Sequence, residues 1–239
     1  MTMKVHQQSR FSAVFLGLFS LGILVFAVPR FVASIYALYP ESVLTHHQST
    51  IPVEDYLTSI RDLDAALAWD NNPDYLQAKA LCNLALVNSP AIPITQKYLQ
   101  LFEARQMIIK GLKVSPIDGF AWYRFALVDK PLGHPVSEVA EALRLSLYSA
   151  RVEPDLVMQR LTLAFSYLNE LRIEDQALWL KEVPLAWKYA PNKLVAFVIQ
   201  NPKAKSWVQI AFVYDIEHLD QFERAYEKAI KNIIPAPTH

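Results

Sequence analysis

The stretch ALRLSLYSARVEPDLVMQRLTLAFSY, residues Ala142 to Tyr167, decides how the rest of the chain is read. Small residues recur in front of a proline, as Ala142-x3-Ser146-x2-Ser149-x4-Pro154. Six residues after that proline begins Arg160-x2-Leu163-Ala164-x2-Tyr167. This is the order of a tetratricopeptide unit, in which small side chains let two helices approach and a proline closes the second of them.

Working outward, the pattern repeats. Ala104-x3-Ile108-x2-Gly111-x4-Pro116 is followed by Trp122-x2-Phe125-Ala126, and Trp207-x2-Ile210-Ala211-x2-Tyr214 again fits a first helix, with Pro235 closing that unit. Glu223 stands where this last unit should carry a small residue. Pro73, Pro116, Pro154 and Pro191 are spaced 43, 38 and 37 residues apart. The excess over a 34-residue unit is expected in the turn-rich segments Asn88 to Pro93 and Asp129 to Pro135. Around Pro73 the signature degrades to Lys79-x2-Cys82, as in a capping repeat. Acids after Pro52 predict a helix to about Trp69, Ser137 predicts a cap for a helix to about Ala150, and Val183-Pro184 predicts a start or kink. No period-two alternation supports a sheet, so the fold class is all-α: one amino-terminal transmembrane helix, then a helical-hairpin solenoid.

The transmembrane reading rests on Phe11 to Val28, eighteen residues without a charge, close to the length that crosses a hydrocarbon core. Apolar character resumes after Pro29-Arg30 and runs to Tyr39, so the predicted organisation is a cytoplasmic 1–10, a membrane helix 11–39 kinked at Pro29 with interfacial tyrosines, a linker 40–52 and a helical domain 53–234. Lys4 and Arg10 with no acid among the first 40 residues place the amino terminus in the cytoplasm and the body outside. The competing reading is a signal peptide cleaved near Val25-Phe26-Ala27, which exports the same body untethered. From residue 40 onward 23 acids meet 20 bases, a formal charge of −3.

Composition excludes several chemistries. Five scattered glycines leave no phosphate-cradling loop, one cysteine leaves no disulfide or multi-cysteine metal site, and 23 bases against 23 acids give no reason to expect a nucleic-acid partner. His46-His47 beside Glu54 and Asp55 lacks a third ligand at metal-site spacing and reads as linker. Asp62 and Asp64, two apart on a helix, do not converge as an acid pair, and Cys82 among leucines reads as a small buried hydrophobe. Lys203, Lys205, Lys228 and Lys231 read as a solvated basic face. No catalytic, cofactor-binding or metal residue is therefore expected. Trp122 and Trp207 fall on packing positions, whereas Tyr123, Trp179, Trp187 and Tyr189 lie off the signature and form the candidate contact surface.

From Met158 to Phe165 and from Leu185-Ala-Trp187 through Pro191 to Leu194, the chain resembles the tetratricopeptide-like proteins of bacterial exopolysaccharide and capsule loci, including the VpsP family. The Ala142 to Ser146 stretch and the single amino-terminal membrane helix are similar too. The resemblance implies a single-pass protein of the bacterial inner membrane, with its helical domain in the periplasm, that serves assembly or export of a surface polysaccharide by binding protein partners. It carries no catalytic residues. The expected function is thus a non-enzymatic adaptor; the alternative is a periplasmic module that holds the polysaccharide on exposed aromatics.

Overall fold

The computed structural model describes the backbone of residues 2–45 and 51–233 and the side chains of 16–45 and 51–232. Every element in it is an α-helix, and no strand occurs among the described residues. The chain divides into two compact units, Met1–Pro116 and Ile117–His239.

In the first unit, α1 (Thr2–Thr45) pairs with α2 (Val53–Trp69), and α3 (Pro73–Asn88) pairs with α4 (Ile94–Val114), while α2 and α3 pack side by side. α1 contains a window of mean hydropathy 2.0, long and apolar enough to cross a membrane and only 6% buried. The helix then does something the sequence reading did not anticipate. It passes through Pro29 and Pro40 and continues to Thr45, where a linker was expected from residue 40. Its last three turns bury Ala33, Ala37, Pro40 and Val43. That stripe, spaced four, three and three, is one helical face, and it packs against α2. Of the tyrosines expected at a lipid interface, Tyr39 sits beside this contact and donates its hydroxyl to Asp55 at 3.1 Å. His46 and His47 lie outside the described residues.

α2 starts after Pro52 with Glu54 and Asp55 in its first turn and stops at Trp69, matching the sequence expectation. Asn72 caps α3 by accepting from the backbone of Asp74, with Pro73 at the first helical position. Cys82 is fully buried, and burial pushes its thiol up to about 12. Ala104 and Gly111 are buried on α4; a Cβ at Gly111 would lie 2.6 Å from the Gln77 amide nitrogen. Asp64 is held by Lys79 on α3 rather than facing Asp62.

The second unit opens with a hairpin of α5 (Gly119–Asp129) and α6 (Val136–Ser149). Its helices meet at small residues: Ser146 donates its hydroxyl to the Gly119 carbonyl at 2.7 Å, and a Cβ on Gly119 would come within 2.4 Å of the Ala150 Cβ. The connection occupies the Asp129 to Pro135 segment, as expected, with Gly133 at φ +74°. Pro135, and not Ser137, occupies the cap position of α6; the proline ring presets the entry angle, and no side-chain cap is formed.

After α7 (Pro154–Phe165) the regular alternation of long helices gives way. The segment where a second helix is expected is split at Glu182 into α8 (Ile173–Leu180) and α9 (Val183–Tyr189), with Pro184 in the first turn of α9. α10 (Pro191–Gln200), α11 (Ala204–Ala211) and α12 (Ile216–Ile233) complete the unit. The signature that begins at Trp207 fails at its last position. α11 ends at Ala211, the chain turns so that Phe212 is buried at 1% exposure, and Tyr214 is left fully exposed. Glu223, at the expected small position, turns outward to Lys205 at 2.9 Å and to the Gln209 amide at 2.8 Å. An ion pair thus joins α11 and α12 where a small side chain would have allowed closer contact.

Candidate functional site

α5, α7 and α10 each follow a signature proline, and they lie side by side within the second unit. The end of α5 meets the end of α7 where Lys130 donates to Ser166 Oγ at 2.6 Å, and the end of α7 meets α10 where the Phe165 and Phe197 rings stand edge-to-face at 5.3 Å. Between them runs a groove of about 600 Å³. Its apolar floor is Met158 and Phe197, both buried, and the exposed Leu127 and Ala196 add apolar lining. Its walls carry polar side chains of the three helices: Tyr123 and Lys130; Asp155, Gln159, Thr162 and Ser166; Lys193 and Gln200.

The polar wall on α7 follows from spacing. Asp155, Gln159, Thr162 and Ser166 are separated by four, three and four residues, which is one face of a helix, and the opposite face is the buried set Leu156, Val157, Arg160, Leu161 and Ala164. Arg160 sits in that buried set with both terminal guanidinium nitrogens engaged by acceptors, while its Nε has no partner. It takes the tryptophan position of the repeat signature and donates to the carbonyls of Ser146 (3.2 Å) and Ala150 (2.9 Å), at the open end of α6, and to Glu182 at 3.2 Å. Burial lowers the Arg160 pKa and raises that of Glu182, each opposed by the charge of the other. The pair fixes the α6 end, α7 and the α8–α9 break relative to one another, and so sets the direction of the α7 wall.

Of the four aromatics singled out from sequence, only Tyr123 lines the groove; it is half-buried, and burial pushes its phenol up. Trp179 is 1% exposed and packs among Ala126, Leu143, Leu163 and Ala164, so its place in a contact surface is withdrawn. The signal was present but disguised. Asp175 and Trp179 lie four apart on one inward face of α8, disguised by an aspartate that is itself buried and paired with Arg144 at 2.7 Å and Arg172 at 3.2 Å. Trp187 is half-buried, edge-on to Phe212 (6.5 Å) and Phe222 (5.9 Å), and belongs to the core rather than the surface. Tyr189 is 37% exposed beneath the Lys188 ammonium, away from the groove lining. Trp122 and Trp207 pack against the same core as Trp179, in keeping with their signature positions. Sequence reasoning missed Lys130, Gln159, Thr162 and Lys193, because polar residues on the solvent side of a helix read as ordinary surface until a neighbouring helix faces them.

A second constellation also lay outside the sequence reading. Asp129, His134 and Glu138 at the α5–α6 turn bring ligand atoms within 4.8 Å of one another. The imidazole is clamped between the carboxylates, with Nε2 3.8 Å from Asp129 and Nδ1 3.3 Å from Glu138. Each ring nitrogen faces an acid, so a metal could take this set only by displacing one of those contacts; the arrangement fits a pinned turn.

No family model matches this chain, and neither a curated protein nor a solved structure is found to be similar to it.

Proposed function

We propose that this protein is a membrane-anchored, non-enzymatic adaptor that holds a segment of a protein partner in the groove of α5, α7 and α10. The groove carries the reading, because three successive post-proline helices present an apolar floor and hydrogen-bonding walls on one face. In this view the hairpins are tetratricopeptide-like repeats, regular up to α6 and modified beyond it. α1 is the single inner-membrane span, with the helical body in the periplasm; the uncharged run from Phe11 to Val28 and the lysine and arginine before it support that orientation. The resemblance to exopolysaccharide and capsule locus proteins supports a place in surface-polysaccharide assembly or export. The reading in which the polymer itself is held on exposed aromatics loses Trp179 and Trp187 to the core and keeps only Tyr123 in the groove.

A photo-crosslinking residue placed at Thr162, which is exposed on the α7 wall, tests the adaptor reading in native membranes. The expected result is one dominant protein adduct that weakens when Tyr123 and Gln159 are both changed to alanine. An adduct to polysaccharide, or no adduct, would overturn it.

A further inference from the structure

We infer that the segment held in this groove is extended and acidic; this rests on the adaptor reading and narrows the class of partner. The extended form follows from dimensions. α7 contributes twelve residues, about 18 Å of wall at 1.5 Å per residue, which an extended chain spans with about five residues. An entering helix would need a broad apolar trough, whereas here the walls beside the apolar floor are lined by amides and hydroxyls. Gln159 and Gln200 are exposed on α7 and α10 and can pair with backbone N–H and C=O groups, as peptide main chains require.

The acidic character follows from charge. The groove lining includes two lysines, Lys130 and Lys193, and one carboxylate, Asp155. Neither lysine forms an ion pair among the described residues: Lys130 rests on the Ser166 hydroxyl and over the Tyr167 ring at 4.9 Å, both neutral partners. Asp155 stands in the first turn of α7, where the helix dipole already favours a negative charge. The acid is thus accommodated by its own helix, while the two ammonium groups are left for a ligand to neutralise. An acidic polysaccharide offers the same charge, but it stacks on aromatic faces, and the groove offers only Tyr123 and the 8%-exposed Phe197, whose ring is engaged by Phe165.

The test uses the full chain, solubilised in detergent, on an array of immobilised hexapeptides in which each position is varied through every amino acid. Retained peptides are expected to be enriched in Asp and Glu, with binding that weakens as salt is raised. Changing both exposed lysines, Lys130→Gln with Lys193→Gln, should weaken the best acidic peptide about tenfold while circular dichroism stays unchanged, and Lys130→Glu with Lys193→Glu should shift the preference toward Lys and Arg. Enrichment of neutral or basic peptides from the parent, no retention at all, or indifference to the lysine changes would each overturn the inference. The crosslink at Thr162 separates the two claims: a protein adduct whose captured segment is neutral or basic leaves the adaptor standing and removes the acidic ligand. An adduct to polysaccharide removes both.

Discussion

At the scale of single residues, the glycines show how much a methyl group can matter. Gly119→Ala puts a Cβ 2.4 Å from the Cβ of Ala150, which is short and tied to the backbone, so α5 and α6 must separate. A cost of about 1–3 kcal/mol in chemical denaturation is expected. Gly111→Ala meets the end of the Gln77 side chain, which can swing away, and alanine favours a helix by about 0.5–1 kcal/mol; that variant should be nearly neutral. Equal losses for the two would contradict the packing described. The buried ion pair makes a second residue-scale prediction. Arg160→Met strands Glu182 in the core and should cost about 3–5 kcal/mol, whereas Arg160→Met with Glu182→Leu should recover most of the loss, since both charges then leave together. The Cys82 thiol, fully buried and pushed up to about 12, should resist maleimide at neutral pH until the fold is opened by denaturant.

At the scale of elements, α11 and α12 are joined by charge, and this makes the joint sensitive to acid. Burial pushes the Glu223 carboxyl up, but the Lys205 ammonium and the Gln209 amide outweigh it and hold the group below its ordinary value. A folded pKa lower than the unfolded one means the contribution is complete above the ordinary glutamate range and is lost as pH falls through the folded value. The protection of α12 amides, taken relative to the intrinsic exchange rate at each pH, should therefore fall on acidification. Lys205→Met should lower that protection at neutral pH and flatten its pH dependence, and an unchanged profile would show that the pair does not hold the helix.

How far the elements could be read in advance depended on what determines each. The helix from Val53 to Trp69, the turns after Asn88 and Asp129, and the break at Val183-Pro184 follow from proline and local capping, which a single sequence displays. The fate of Trp179 and Tyr214 depends on which helix arrives opposite them. Asp175 hides the inward face of α8 because its charge is neutralised by Arg144, thirty-one residues earlier in the chain. The groove was legible only in part: the prolines announced its three helices, but nothing local said that the polar stripe of α7 would face α5 and α10.

At the scale of the whole molecule, the proposed membrane orientation is open to a direct measurement. With Cys82 silent, a single Tyr214→Cys places a thiol at a fully exposed position of the second unit. A membrane-impermeant maleimide should label it in cells whose outer membrane alone has been opened. Labelling only after lysis would put the body in the cytoplasm and remove the periplasmic reading.

The unbroken passage of α1 from its apolar run into the first hairpin has a mechanical corollary. A flexible tether would let the attached helices wander over the lipid surface, whereas a shared backbone makes their attitude follow the stem. About 18 Å of the same rod, from Ala33 to Thr45, is bolted to α2 through small side chains. In the proposed membrane-anchored arrangement, any rotation or tilt imposed on the stem by thicker lipid, or by a neighbouring span, would therefore turn the first two hairpins as one piece.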